Sequence, residues 1–161
     1  SFEFLDRGSS MKITIRAIGK DTSKELKSLI DEYIKRLPWT VKIEEMVCNK
    51  TGSIDEIKKH EGELLLNKID KDSYLIVLDE IGKKYNSVNF SNIFSFQMNN
   101  GINHFVFLIG GANGHSAEVR KKANMILSLS DMTFAHKIVR LILVEQIYRA
   151  WTITQAHPYH K

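Results

Sequence analysis

The sequence predicts an α/β fold with a mostly parallel sheet and helices on both faces. Three observations carry this. Strand-like and helix-like stretches alternate along the chain, the order that builds successive β-α-β units. Two of the strand-like stretches, residues 74–78 (YLIVL) and 104–109 (HFVFLI), are almost wholly apolar, as strands buried on both faces are. The chain is also long enough, at 161 residues, for one core but short for two.

Each element follows from local pattern. Residues 12–18 alternate apolar and polar and are rich in β-branched side chains, which reads as a strand ended by Gly19. Asp21 or Thr22 is placed to cap a helix whose apolar positions run from Leu26 to Leu37, and Pro38 stops it. Residues 40–47 read as a second strand. After a turn-like stretch, a helix carries Ile54, Ile57, Leu64, Leu65 and Ile69, with Glu61, Glu63 and the lysines expected on its solvated face. The apolar run 74–78 closes in Asp79-Glu80. A helix is expected over 87–99, then strand 104–109, which runs straight into a glycine loop, 110–114 (GGANG). A helix over about 116–126, a short strand at 127–129, a loop at 130–135 and a helix over about 136–151 complete the series.

Composition excludes several classes. At 43% hydrophobic and 26% charged, with 2 Pro and 9 Gly, the chain is neither disordered nor fibrous. The lone Cys48 forbids an internal disulfide or a multi-cysteine zinc module. No apolar run reaches the ~18–20 residues of a membrane span, and no signal peptide opens the chain. A reduced, cytoplasmic protein is expected. Residues 1–10 precede Met11 and end in Gly-Ser-Ser; they read as an expression-tag remnant, leaving 11–161 as a single domain. The excess of basic over acidic side chains, with a pI near 9.1, suits a polyanionic partner and equally suits a protein that is merely basic.

Four features bear on chemistry. The glycine loop stands between a buried strand and a helix, where main chain can approach a nucleoside closely; a tight turn without ligand is the other reading. It is neither a dinucleotide fingerprint nor a phosphate-binding P-loop, because the spacings are absent. His115 beside it is expected to help cap the next helix. The segment 129–134 sets polar groups between apolar ends, as a loop wrapped around an aromatic base does. The last helix is apolar nearly all round, which implies burial by a second subunit or a central place in a monomer. Finally, the tail interleaves Arg149, Trp151, His157, Tyr159, His160 and Lys161, suited to an unpaired base and phosphates, although a frayed terminus looks the same. A metal pair at His157 and His160 is a weaker reading, because no further ligands sit nearby in sequence.

Together these pieces resemble a known family. The opening MKITI with Ala17 and Gly19-Lys20, YLIVLD at 74–79 with Gly82-Lys83, FVFLIGGANG at 105–114, LSLSDMTFAH at 127–136, Val139-Arg140, EQIYRA at 145–150 and HPYH at 157–160 resemble the large-subunit ribosomal RNA methyltransferase H family of the SPOUT superfamily. Ala135 stands where that family usually has Pro. The resemblance implies a deep C-terminal trefoil knot, an exception to the rule that chains are unknotted, and a homodimer built on it. It implies S-adenosylmethionine as methyl donor, held by Leu78, Gly110, Leu129, Ser130, Asp131, Met132, Thr133 and Phe134. It further implies methylation of N3 of a pseudouridine in 23S ribosomal RNA, with Arg149, Tyr159 and His160 completing the site from the opposite subunit. The weak net charge favours the assembled ribosome over naked RNA as target. Neither a metal nor a membrane is implied. The alternative is a non-catalytic ribosome-binding or assembly factor with a vestigial pocket.

Overall fold

The computed structural model describes residues 11–160; residues 1–10, read above as a tag remnant, and Lys161 of the tail lie outside them. Five parallel strands form one sheet in the order β2-β1-β4-β3-β5: β1 Lys12–Ile18, β2 Thr40–Met46, β3 Tyr74–Lys84, β4 His104–Ile109 and β5 Met125–Ser128. The helices are α1 Lys24–Arg36, α2 Ile54–Leu66, α3 Ser87–Asn99, α4 Ala117–Lys122 and α5 His136–Thr154.

β4 shows why the strand patterns lacked alternation. Phe105, Phe107 and Ile109 point into a core shared with α1, α3 and α5, built round the fully buried Phe94, Leu143 and Ile147. Val106 and Leu108 point the other way, into a smaller core with Leu65 of α2 and Val119 of α4. Both faces of the strand are covered, so both sets of side chains are apolar. Ligands of such sheets bind beyond the carboxyl ends of the strands, and here those ends carry the glycine loop and the segment that follows β5.

Several boundaries differ from the sequence expectation, each for a local reason. The cap of α1 is Ser23, whose hydroxyl accepts from Leu26 N at 3.3 Å; Asp21 instead accepts from Ser23 N at 2.9 Å and forms the turn before it. The helix expected over 116–126 ends at Lys122. Asn124 then pairs both ways with Leu75, through its main-chain N at 2.8 Å and its side-chain oxygen at 2.7 Å, and so starts β5 early. The cap of α4 is Ser116, not His115. α5 continues past Trp151 to Thr154. Glu61, expected in solvent, is only 8% exposed, because the main chain of the glycine loop packs over it.

β3 departs furthest. It does not end at Leu78 but leaves its partner, passes through Asp79, Glu80 and Ile81, and pairs with β5 again at Lys83 and Lys84. Gly82 permits the return. A Cβ there would lie 2.7 Å from the main chain of Ile126 and Leu127, so no side chain fits.

Candidate active site

The ends of β3, β4 and β5 border a cavity of about 600 Å³, a size that takes a nucleoside-sized ligand. Leu78 and Ile109 form its base and the glycine loop one wall. Gly114, with φ at +78°, turns that loop back toward α4. The segment after β5 forms the facing wall. Of the residues expected to hold a cofactor, Leu78, Gly110, Leu129, Ser130, Met132, Thr133 and Phe134 border this one cavity. Asp131 does not. Its side chain is 83% exposed and pairs with Lys84.

The wall after β5 is fastened at several points. Ser130 Oγ accepts from Met132 N at 3.0 Å, and Thr133 donates its hydroxyl to Glu80 at 3.2 Å. Thus the excursion of β3 and the loop at 129–134 hold one another. Just beyond, the first turns of α5 are braced against the end of β1. His136 Nε2 meets the carbonyl of Ile18 at 2.7 Å, and the buried Arg140 donates to the carbonyl of Gly19 at 2.7 Å and pairs with Glu45. Burial tends to raise the pKa of Glu45, but the Asp21 amide and Arg140 outweigh it and hold the carboxyl below its ordinary value.

Sequence reasoning missed several groups here. Asp79 and Arg120 border the cavity as an ion pair, Nε to Oδ2 at 2.9 Å. His115 is 3% exposed and lies beneath Gly110, where an added Cβ would come within 3.0 Å of its ring. Neither ring nitrogen finds a partner of good hydrogen-bond geometry. Burial holds its imidazole below the ordinary 6.5; Asp79 and nearby main chain oppose this without offsetting it.

A second cluster lies at the other end of α5. Glu145 accepts from Arg149 at 3.0 and 2.6 Å and from the Tyr159 hydroxyl at 3.0 Å. The Arg149 guanidinium lies over the Tyr159 ring at 4.8 Å and donates to His160 Nδ1 at 3.0 Å. The tail is therefore ordered on the helix, and Arg149, Tyr159 and His160 are brought together. Glu145 was not singled out, although its i,i+4 spacing to Arg149 was the available signal. Partial burial opposes the charge on Arg149, yet Glu145 more than offsets this and raises its pKa. Burial, then the Tyr33 and Glu145 contacts, raise the Tyr159 pKa too, so it remains a neutral phenol. Because arginine can only donate, His160 Nδ1 is the acceptor and its proton sits on Nε2. In this arrangement the ring offers a donor outward and no free lone pair.

The two clusters do not meet in one chain. Val139 borders the cavity, and Arg149 lies ten residues on, about 15 Å of helix rise. Between them α5 is not buried all round. Leu143, Val144 and Ile147 face α1 and α3, whereas Ile138 is 43% exposed and Ile142, Glu145, Arg149 and Ile153, on the same stripe, are half-buried.

Comparison with known proteins returns one consistent family. Residues 11–160 match the family described as "Predicted SPOUT methyltransferase". A protein of Flavobacterium psychrophilum named ribosomal RNA large subunit methyltransferase H is 46% identical over 155 residues, covering 93% of this chain and 99% of its own. Proteins of the same name from Halothermothrix orenii and Streptococcus mutans are 42% and 39% identical over 159 residues, covering 94% of this chain and all of theirs.

Proposed function

The chain belongs to the SPOUT methyltransferase family, and from that premise we propose that it is a 23S ribosomal RNA methyltransferase that uses S-adenosylmethionine to methylate N3 of a pseudouridine, acting as a homodimer on assembled ribosomes in the cytoplasm. The C-terminal trefoil knot of the family belongs to the same proposal. The observation that carries it is the separation of a nucleoside-sized cavity from a charged tail cluster along one helix whose outer stripe is left open. A second copy docked on that stripe sets its tail against the first copy's cavity. This also explains why so short a chain spends Ile138 and Ile142 on a surface.

The residues at the cavity fit the proposed cofactor. Main chain of the glycine loop and apolar side chains at Leu78, Ile109, Leu129 and Phe134 would hold adenine, and the absent side chain of Gly110 leaves room over His115. Bound there, S-adenosylmethionine supplies a methyl group already activated on a sulfonium.

The chain's own task is alignment and charge. The loop at 129–134, fastened to Glu80 and followed by a helix braced on β1, would fix where the donor lies, and near-attack alignment is worth a large share of the barrier. Arg149 offers its guanidinium to charge developing on the carbonyls that flank N3. Tyr159, neutral and held by Glu145, supplies a face for the base. His160, with its proton on Nε2, donates a hydrogen bond in the arrangement described here. To accept the N3 proton, as its residue type suggests, it must first part from Arg149.

Mass spectrometry of ribosomal RNA from cells with and without the protein tests the reading. A methylated pseudouridine that disappears on deletion is expected; an unchanged RNA overturns it. Mixing Gly110→Val protein, impaired in the cavity, with Arg149→Ala protein, impaired in the tail, tests the shared site. If each site draws on both copies, subunit exchange restores roughly a quarter of wild-type activity, since half the dimers are mixed and each has one intact site. No recovery after verified exchange sinks the shared site.

A further inference from the structure

We propose that Asp79, Glu80 and Arg120 form the subsite that grips the amino-acid end of the cofactor, a role separate from the main-chain recognition of its nucleoside end. The inference rests on the cofactor reading above and says which part of the cavity binds which part of the molecule.

The argument begins with where charge occurs. Leucines, isoleucines and main chain wall most of the cavity, which suits adenine and ribose. Among the described residues that border it, the carboxylates and guanidinium are confined to Asp79, Glu80 and Arg120. Asp79 and Glu80 lie on the β3 excursion and Arg120 on α4, so two separate elements bring them to one border. An S-adenosylated amino acid carries an α-carboxylate and an α-ammonium, and burying either against the apolar walls is costly. Both are satisfied at this border.

The geometry goes further. The Asp79 side chain is 8% exposed and that of Arg120 is 36% exposed, so the acid is sunk while the guanidinium reaches out. Both Asp79 oxygens are used, one by Arg120 Nε at 2.9 Å and one by Ile81 N at 3.1 Å. The aspartate thus fixes the arginine and is spent in doing so. The two terminal nitrogens of Arg120 make no hydrogen bond to any described residue. They form the fork that matches a carboxylate. Glu80 faces the other half of the zwitterion: one oxygen accepts the Thr133 hydroxyl at 3.2 Å, and the other is free among the described residues to meet the ammonium. The contact from Glu80 to Thr133 also couples this border to the loop that reads the nucleoside.

Two ligands isolate the subsite. S-adenosylhomocysteine and 5′-methylthioadenosine share adenosine and a thioether, but only the first has the amino-acid end. Calorimetry on the full chain is expected to show tighter binding of S-adenosylhomocysteine. In Arg120→Ala its affinity falls about tenfold, the effect of losing one charge-assisted contact in a half-open site, while methylthioadenosine binds within about twofold of wild type. Arg120→Lys recovers part of the loss, because it restores charge without the fork. Retained methylthioadenosine binding also shows that the variant is folded; if the alanine variant unfolds, Arg120→Gln, which keeps a donor for Asp79, gives the same readout. Equal weakening of both ligands, or no change in either, overturns the subsite. If wild-type protein binds neither, the cofactor reading itself falls, a result distinct from a failure of Arg120 alone.

Discussion

At the strand ends, the cavity is walled by main chain and apolar side chains, and its shape depends on where side chains are missing. At the far end of α5, the tail cluster depends on which side chains are present: Glu145 takes four bonds, and Arg149 reaches Glu145, Tyr159 and His160 at once. In the proposed reading, the nucleoside part of the first region recognises by exclusion and the second region by charge. The difference teaches what substitutions in each will do. Changes to the cavity's glycines act by filling space and appear in binding and stability together. Changes in the tail remove a charge from a surface that remains folded, and appear in the rate alone.

The strongest way to break this comparison is Arg149→Ala. Loss of the group proposed to stabilise developing charge is expected to lower single-turnover methylation of ribosomes roughly a hundredfold. Cofactor affinity by calorimetry stays at the wild-type value, because Arg149 is not among the residues that border the cavity. A matching loss of cofactor affinity would show that the two regions are not separate. Next comes Gly82→Ala. Its Cβ meets main chain that has no rotamer to yield, so β3 and β5 are forced apart. A loss of about 1–3 kcal/mol in chemical denaturation is expected, together with weaker cofactor binding, since the excursion carries Asp79 and Glu80. A stable variant with intact binding would remove the claim that missing side chains shape the cavity.

What could be read from the sequence divides along the same line. All ten elements follow from periodicity, because buried strands and amphipathic helices leave apolar patterns in the order of the chain. The cavity's position followed as well, since glycines after a buried strand mark close main-chain approach. What escaped were polar residues whose burial is decided by something distant. Glu61 fits a solvated helix face by spacing, but the partner against it is Gly111, a glycine 50 residues away. Arg140 resembles a surface residue in an apolar helix; only Gly19, just after β1, and Glu45 of β2, more than 90 residues earlier, supply the carbonyl and carboxylate that hold it. The excursion of β3 was invisible because Asp79-Glu80 ends the apolar run and nothing local announces that the strand resumes beyond Gly82.

His115 sharpens the comparison at smaller scale, being a titratable ring buried beneath the glycine loop. The fold keeps it neutral, whereas an unfolded chain protonates it near 6.5. A folded-state value below the unfolded one means that the contribution is complete above 6.5 and is lost as pH falls toward the depressed value. The loss is at most about 1.4 kcal/mol for each pH unit below 6.5. In His115→Leu, the fall in denaturant midpoint between pH 7 and 5.5 should be shallower than in wild type. Equal slopes would mean that another group governs acid stability.

The smallest expected effect concerns the joint between cavity wall and helix. Ala135 precedes α5 with φ at −57° and gives the helix no side-chain cap, while its carbonyl already accepts from Ile138 and Val139. A proline prefers φ near −65° and takes away only an amide hydrogen. No main-chain bond from the Ala135 amide occurs among the described residues. Ala135→Pro therefore restricts the unfolded chain without opposing the folded one, and should stabilise the protein by about 0.4–1 kcal/mol, or roughly 1–4 °C in Tm for a domain of this size. Because the wall at 129–134 is already fastened at Glu80, and the helix after it at Ile18 and Gly19, cofactor affinity should hardly change. If affinity rises several-fold instead, the wall is mobile before the ligand arrives, and recognition there depends on ordering the loop as well as on its shape.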